Sequence, residues 1–199
     1  MNPDLEKRIR MVHPTGRLDK PHRKRLLGKK FEKAVGGAVR EIAEITSAAY
    51  DEFAHWWEIS RTLQFDFTLQ GPRHDDWQCR LDDSQRISWL RENQGVYAIL
   101  TLNMSKVYPA YAFYFTTWRL VGPKEIDCDT YYGLADTSWV PFFQELITRF
   151  KQLGLVQLKE CDLEEEVPFV LCEESGDGID EEEPILVLAT VHQCLFEEL

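Results

Sequence analysis

The chain has 199 residues, of which 44% are hydrophobic and 12% aromatic, and its formal net charge is −11 at pH 7. This is enough apolar material for one sizeable core, so we expect one folded unit with an appended arm. The longest apolar stretches, 96–102 and 185–191, are too short to cross a bilayer, which takes about 20 residues, and the first residues are charged where a signal peptide is apolar. We therefore expect a soluble, cytoplasmic protein with no membrane partner.

Charge is strongly segregated along the chain. Residues 1–40 contain 12 Lys and Arg against 4 Asp and Glu, whereas residues 160–199 contain 14 Asp and Glu and no Lys or Arg. Opposite poles of this size constrain the partners of the protein more than its chemistry. We expect residues 1–36 to form a basic helical arm, and residues 37–199 to form a single domain with an acidic hairpin loop at 173–184.

The cysteines are odd in number and widely scattered. No Cys-x-x-Cys pair occurs, so neither a disulfide framework nor a zinc knuckle is predicted. We expect reduced and mostly buried thiols at the five positions, which are Cys79, Cys128, Cys161, Cys172 and Cys194.

The first clear helical pattern follows a polar leader. Asp19 can cap a helix, and Pro21 suits its first turn. Apolar residues then recur at steps of three and four, at Phe31, Val35, Ala38, Ile42, Ile45, Ala49, Phe53 and Trp56. A continuous helix over 21–60 would be about 60 Å long, which is too long for a compact domain. We expect a bend at Gly36-Gly37 and a second helix that ends near Ser60 and packs on the core.

Beyond Arg61 the apolar period changes to two, which predicts strands. Leu63–Leu69 has one apolar face, and 77–81 repeats the pattern weakly after the turn residues Gly71-Pro72. Segment 86–93 fits either a short helix or a strand. Segments 96–102 and 107–121 predict a second hairpin because they are rich in β-branched and aromatic residues.

The remaining chain predicts a polar loop over 127–136, a helix over 139–153, and two strands, 167–172 and 185–196, joined by the acidic segment. The fold class that follows is α+β. We expect a mostly antiparallel sheet of five to seven strands packed by two main helices, with the basic helical arm at the amino terminus.

Two groups of residues could supply metal ligands, but neither predicts a metal site. The carboxylates of 177–183 could bind calcium, but an EF-hand alignment places its last ligand at Pro184, so a solvated loop or a docking surface is favoured. His192 and Cys194 would share one face of a final strand, near Cys172. That strand is so apolar that buried core side chains are the better interpretation.

Catalytic signatures are absent, so no catalytic residue and no cofactor is predicted. The common nucleotide, metalloprotease and hydrolase motifs do not occur. Two short pairs, His55 with Glu58 and His74 with Asp76, are the residues to test for an enzyme with an unrecognised site.

A binding function is the favoured prediction. Segment 107–121 is aromatic on both faces, so one face must either be covered, by Phe53, Trp56 and Trp57, or meet a partner. We expect a non-enzymatic protein-binding module, such as an intracellular inhibitor or immunity-type protein that masks a basic protein partner. The predicted contact residues are Tyr108, Tyr111, Tyr114, Trp118, Asp177, Asp180, Glu181, Glu182 and Glu183.

Alternatives remain open for the basic arm. It could bind nucleic acid through Arg23, Lys24, Arg25, Lys29 and Lys30, although one aromatic residue is a poor stacking surface and the acidic remainder repels a polyanion. It could also fold onto the acidic carboxyl-terminal region of the same chain or of a second copy, which would give a homo-oligomer.

Overall fold

The computed structural model describes residues 1–18, 27–53, 62–132, 137–174 and 185–196. The strands are β1 (Ala49–Phe53), β2 (Thr62–Thr68), β3 (Val96–Ser105), β4 (Ala110–Gly122), β5 (Glu125–Tyr131), β6 (Val156–Gln157), β7 (Glu166–Glu174) and β8 (Ile185–Thr190). The helices are α1 (Pro3–Val12), α2 (Lys29–Thr46), α3 (Asp83–Glu92), α4 (Val140–Gln152), α5 (Glu160–Leu163) and α6 (Val191–Leu195), with a π-helix at Asp76–Arg80 and a 3₁₀ turn at Thr137–Trp139.

The predicted α+β class is confirmed. Strands β1 to β5 form an antiparallel meander in chain order, and β6 pairs in parallel with β4 to complete a six-stranded sheet. Strands β7 and β8 form a separate antiparallel ribbon. Within the described ranges, no helix combines the length and the apolar character that spanning a membrane requires.

One face of the large sheet packs against α2 and α4. Arg149 Nη1 lies 2.8 Å from Glu41 Oε2, which joins the two helices at the surface. Successive residues of each strand point alternately to this core and to the opposite face of the sheet, as the predicted two-residue period requires. The largest buried members of this core include Phe65, Phe67, Leu100, Leu102, Phe115, Ile42, Phe142, Leu146 and Phe150.

Helix α2 corrects two predictions, the bend at Gly36-Gly37 and the helix that ends near Ser60. The helix continues through both glycines and ends at Thr46. Its buried stripe, which includes Val35, Val39 and Ile42, holds it to the sheet despite the low helix propensity of glycine. Ser47 then adopts a left-handed conformation with φ 55°, which ends the helix and turns the chain into β1. Residues 54–61 lie outside the described part of the chain.

Helix α1 forms where the sequence indicated only a polar leader. Asn2 Oδ1 accepts a hydrogen bond from the backbone N–H of Asp4 at 2.9 Å, and Pro3 occupies the first turn. The buried side chains Leu5, Ile9 and Val12 pack with the β7–β8 ribbon and α6 in a second core. The amino-terminal helix is therefore docked on the carboxyl-terminal strands, mainly through apolar contacts.

The proposed arm and domain meet within α2. A boundary between residues 36 and 37 falls inside this continuous helix. Asp19 and Pro21, the expected start of a helix, lie outside the described residues. On the described part of the arm, the Arg10 guanidinium lies 3.5 Å from the centroid of the Phe169 ring, so a basic residue of α1 contacts β7 directly.

The strand predicted over 77–81 does not form. This segment lies mostly in the π-helix. Arg86 of α3 explains why this short helix is stable, because its Nε and Nη2 each donate at 2.8 Å to the backbone carbonyls of Trp77 and Gln78. The helix places Trp77 fully buried against one end of the sheet, with its ring centroid 4.1 Å from that of Tyr97. Tertiary packing thus overrides a weak local alternation.

Two further predictions are corrected near the end of the chain. The expected polar loop over 127–136 is largely β5, which pairs along β4 as far as Tyr131. The expected strand over 185–196 stops at Thr190, whose side chain accepts from the N–H of Gln193 at 3.2 Å while Gln193 Oε1 accepts from the N–H of Thr190. This reciprocal cap starts α6. The predictions for β2, β3, β4, α4 and β7 are confirmed.

Candidate binding trough on the open sheet face

The sheet face opposite α2 and α4 is polar in its middle. Residues directly opposite each other on neighbouring strands project from the same face of a sheet. The register pairs Gln64 with Asn103, Thr101 with Tyr114, and Thr116 with Thr130. These partners run across β2, β3, β4 and β5, so they form a continuous polar floor.

Both ends of this face are covered. At one end the π-helix and α3 bury an aromatic cluster around Trp77 and Tyr97. At the other end α6 is fixed to the sheet because the Thr62 hydroxyl donates to the carbonyl of Phe196 and Ser105 Oγ donates to that of Leu195 at 3.1 Å. The described residues leave the middle of the face as a trough.

The trough has a volume of about 520 Å³. Its lining consists of hydroxyl, amide, imidazole and aromatic groups, contributed by Thr62, Gln64, Asn103, Tyr114, Thr116, Thr130, Tyr132, His192 and Phe196. Among the described residues that line it there is no Lys or Arg. The surface can therefore offer several hydrogen-bond acceptors without a competing positive side chain.

Two carboxylates flank the mouth of the trough. A smaller depression of about 150 Å³ shares Tyr132 and His192 with the trough and is also lined by Glu160 and Glu164 of the α5 segment. Both glutamates are exposed. They bring negative charge beside a trough whose lining is otherwise uncharged apart from the titratable His192.

The pKa values of the two trough tyrosines are raised by burial and by nearby carboxylates. Burial raises the pKa of Tyr114, and the charge of Asp66 raises it further, although a hydrogen bond with Thr101 acts in the opposite direction. Burial also raises the pKa of Tyr132, and Glu160 and Glu164 add to the effect. Nearby carboxylates disfavour a second negative charge, so both hydroxyls stay protonated at neutral pH.

A buried carboxylate lies next to the floor. The side chain of Asp66 has no solvent exposure, and its Oδ2 accepts a hydrogen bond from Nδ1 of His74. Gln64 Nε2 lies 3.4 Å from Asp66 Oδ1. Asp51 stands directly opposite Asp66 on β1, with Arg73 Nη1 3.6 Å from its Oδ1. The guanidinium of Arg73 therefore lies beside one carboxylate, and a hydrogen bond from His74 satisfies the other, which reduces the repulsion expected between two facing carboxylates.

In enzymes, a carboxylate can orient an imidazole that then acts as a general base. Here the His74 side chain is only 16% exposed and that of Asp66 is fully buried. The pair ties the segment before the π-helix to β2. A structural role accounts for both observations.

Of the two candidate acid–base pairs from the sequence, only His74 and Asp76 lie in the described part of the chain. Asp76 does not pair with His74, because its Oδ1 lies 3.0 Å from Nη1 of Arg80 on the exposed side of the π-helix. The histidine turns to Asp66 instead. His55 and Glu58 lie outside the described residues.

The four predicted aromatic contact residues have different environments. Tyr111 is 3% exposed and its ring packs edge-on against Phe150, with centroids 4.9 Å apart, so it is a core residue. Trp118 packs in the aromatic cluster, and Tyr108 packs against the second core. Tyr114 lines the trough. Trp56 and Trp57, expected to cover this strand with Phe53, lie outside the described residues, and the side chain of Phe53 is also outside the description. Among the described elements, α4 and the π-helix pack on the strand.

The predicted charged contacts fall mainly outside the described chain. This holds for the acidic set Asp177, Asp180, Glu181, Glu182 and Glu183, and for the basic set Arg23, Lys24 and Arg25. Lys29 and Lys30 are exposed at the start of α2. Their role in binding stays a prediction.

The cysteine and histidine expectations need correction. His192 and Cys194 lie on α6 rather than on a strand, so they do not share a strand face; Cys194 is buried, whereas His192 lines the trough. Within the described residues no group of three or more His, Cys, Asp or Glu side chains could hold a metal ion. Three of the five thiols, those of Cys79, Cys128 and Cys161, are exposed rather than buried.

The trough floor was not found from the sequence. Its signal is one or two polar residues on the alternate face of each strand, at Gln64, Asn103, Thr116 and Thr130. Each strand alone is typical of a half-solvated sheet. The common face becomes visible only when the register aligns the four strands.

No family model matches the chain, and neither a curated protein nor a solved structure shows significant similarity to it. Function is therefore inferred from the chemistry of the described side chains.

Proposed function

We propose that this protein is a non-enzymatic binding protein, of the inhibitor or immunity type, that masks a basic region of another protein. Two features support the proposal. They are an apolar patch on the β7–β8 ribbon and the acidic segment that joins its two strands.

The apolar patch is the observation that carries the proposal. Leu186 and Leu188 on β8 are 44% and 38% exposed. Leu188 pairs with Leu171 on β7, so the three leucines share the outer face, while Cys172 and Val187 face the second core. Burial of apolar surface is favourable by roughly 25 cal/mol per Å². A partner that covers this face would therefore be bound more tightly.

Residues 166–190 include many acidic residues and no Lys or Arg, while Arg10 of α1 contacts Phe169 on β7. The connection 175–184 holds five Asp and Glu residues, and Glu165 and Glu166 are exposed where β7 begins. Opposite charge on a partner accelerates encounter, and apolar anchors slow dissociation. A basic protein is the partner that gains from both.

The proposal is tested by affinity capture from the native host with the full chain, at low and high salt and with nuclease treatment. The wild type and a control variant, Val121→Asp, should recover the same basic protein in stoichiometric amount. Val121 is a matched control because it is also an exposed aliphatic residue, 57% accessible, but lies at the β4–β5 turn.

The double variant Leu186→Asp/Leu188→Asp should lose that protein. Equal recovery by all three proteins would remove the ribbon from the mechanism. Recovery of nucleic acid alone, lost at high salt, would contradict the proposal and favour the basic arm.

A further inference from the structure

We propose that the trough on the open sheet face binds an organic cation, either an alkylammonium or a guanidinium group, beside Tyr114 and Tyr132. This site uses different residues from the outer face of the ribbon, and it does not depend on the proposed function.

The shape of the trough is the first step. Between the two covered ends of the sheet face, the described residues leave a depression with a polar floor. This floor carries Asn103, Thr116 and Thr130, with the hydroxyl oxygens of the two threonines 3.2 Å apart. A cavity of about 520 Å³ is large enough for an arginine-sized side chain or a small polyamine.

The sign of the charge is the second step. Lys and Arg are missing from the described lining, Glu160 and Glu164 flank the mouth, and Asp66 adjoins the floor. Burial raises the pKa of both trough tyrosines, and the same carboxylates raise it further, as expected if they lie close to the two hydroxyls. A phosphate or carboxylate ligand would be repelled from such a site, whereas a cation is attracted.

The aromatic groups select an organic cation over a bare metal ion. The Tyr114 and Tyr132 rings pack edge to face, with centroids 6.2 Å apart and planes at 68°, so a cation would contact this pair from the trough rather than enter between the rings. Ring faces attract ammonium and guanidinium groups, and Phe196 can contact the hydrocarbon part of such a ligand. The amide and hydroxyl oxygens of the floor accept the N–H bonds that the cation donates.

The cation could come from two sources, a free amine or the side chain of an arginine or lysine in a protein. We use agmatine as the free amine, N-acetyl-arginine amide as the side-chain probe, and N-acetyl-citrulline amide as its neutral isostere. Binding is measured by calorimetry, and its location is read from amide shifts of Thr116 and Thr130 in NMR spectra of the full chain.

Agmatine and the arginine amide should bind and shift both amide signals. The citrulline amide should bind at least roughly tenfold more weakly. A short peptide, Gly-Arg-Gly, that binds more tightly than agmatine would identify a protein as the source, and the reverse order would identify a free amine. Absence of binding by both cations, or equal binding of the citrulline amide, would overturn the proposal.

The variant Glu160→Gln/Glu164→Gln should weaken cation binding about fivefold, because two charges at the mouth are removed. The matched control is Glu44→Gln/Glu52→Gln, which removes two exposed charges on the opposite side of the sheet. Equal weakening by both variants would show non-specific attraction and overturn the site. Tyr132→Leu should weaken binding further, while unchanged unfolding midpoints show that the variants remain folded.

Discussion

His74 donates a hydrogen bond through Nδ1 to the buried carboxylate of Asp66, eight residues earlier in the chain. This contact anchors the segment before the π-helix to β2. The π-helix in turn brings Trp77 onto Tyr97 and closes one end of the trough. The pair is thus part of the framework that forms one boundary of the trough.

The pair should show strong coupling in a double-mutant cycle. His74→Ala leaves the Asp66 carboxylate buried without its imidazole, so we expect a loss of about 3–5 kcal/mol in the free energy of unfolding. Asp66→Asn/His74→Ala should be less destabilised than the sum of the single variants. Urea unfolding measures all four proteins, and strictly additive losses would contradict the contact.

Buried tyrosines predict loss of stability in alkali. Burial raises the pKa of Tyr111 to about 12, from an ordinary value of 10.0, and it also raises the pKa of Tyr97. Above pH 10 the unfolded chain therefore loses protons that the native protein keeps. The free energy of unfolding should fall as pH rises from 10 towards 12, by up to about 1.4 kcal/mol per pH unit for each such tyrosine.

Urea unfolding at a series of pH values tests this, with Tyr111→Phe as the comparison. The variant has no phenolic proton at this position, so its stability should decline less steeply above pH 10. Identical slopes for the two proteins would contradict the assignment.

Gly71 should be intolerant of substitution. Its φ is +100°, and a Cβ there would lie 2.5 Å from Cζ2 of Trp89. Gly71→Ala should therefore destabilise the protein by more than the roughly 1–3 kcal/mol of backbone strain alone. Gly95→Ala is the matched control, because Gly95 also has a positive φ, +76°, but an added Cβ meets nothing within 4 Å. Equal thermal destabilisation of the two variants would show that the Trp89 contact is unimportant.

Gly36 and Gly37 should respond in the opposite direction. Both lie inside α2, and an added Cβ at either position meets nothing within 4 Å. Alanine at each should raise the free energy of unfolding by about 0.5–1 kcal/mol through higher helix propensity. Destabilisation by either substitution would indicate a hinge or a close backbone contact.

Local periodicity predicted the elements whose burial is regular. The alternation of Leu63, Phe65 and Phe67 gave β2 because one face of that strand meets the helices. The same method extended α2 too far, since Ala49 and Phe53 are four residues apart, a spacing that keeps one face in both a helix and a strand. The left-handed Ser47 that separates the two elements has no sequence signal of its own.

The trough could not be predicted from spacing along the chain. Gln64, Asn103, Thr116 and Thr130 come from four strands, and only their register places them on one floor. Asp66 and His74 meet because the loop and the π-helix fold back over the sheet. Both arrangements depend on tertiary pairing rather than on local propensity.

The association rate constant of the captured basic protein is the most direct test of the proposed masking function. We compare the wild type with Glu181→Gln/Glu182→Gln/Glu183→Gln by surface plasmon resonance at about 50 mM and about 500 mM NaCl, because added salt screens exposed charges. The proposed function predicts slower association of the triple variant at low salt and a smaller difference at high salt. An association rate that is the same for both proteins at low salt would contradict capture by the acidic segment.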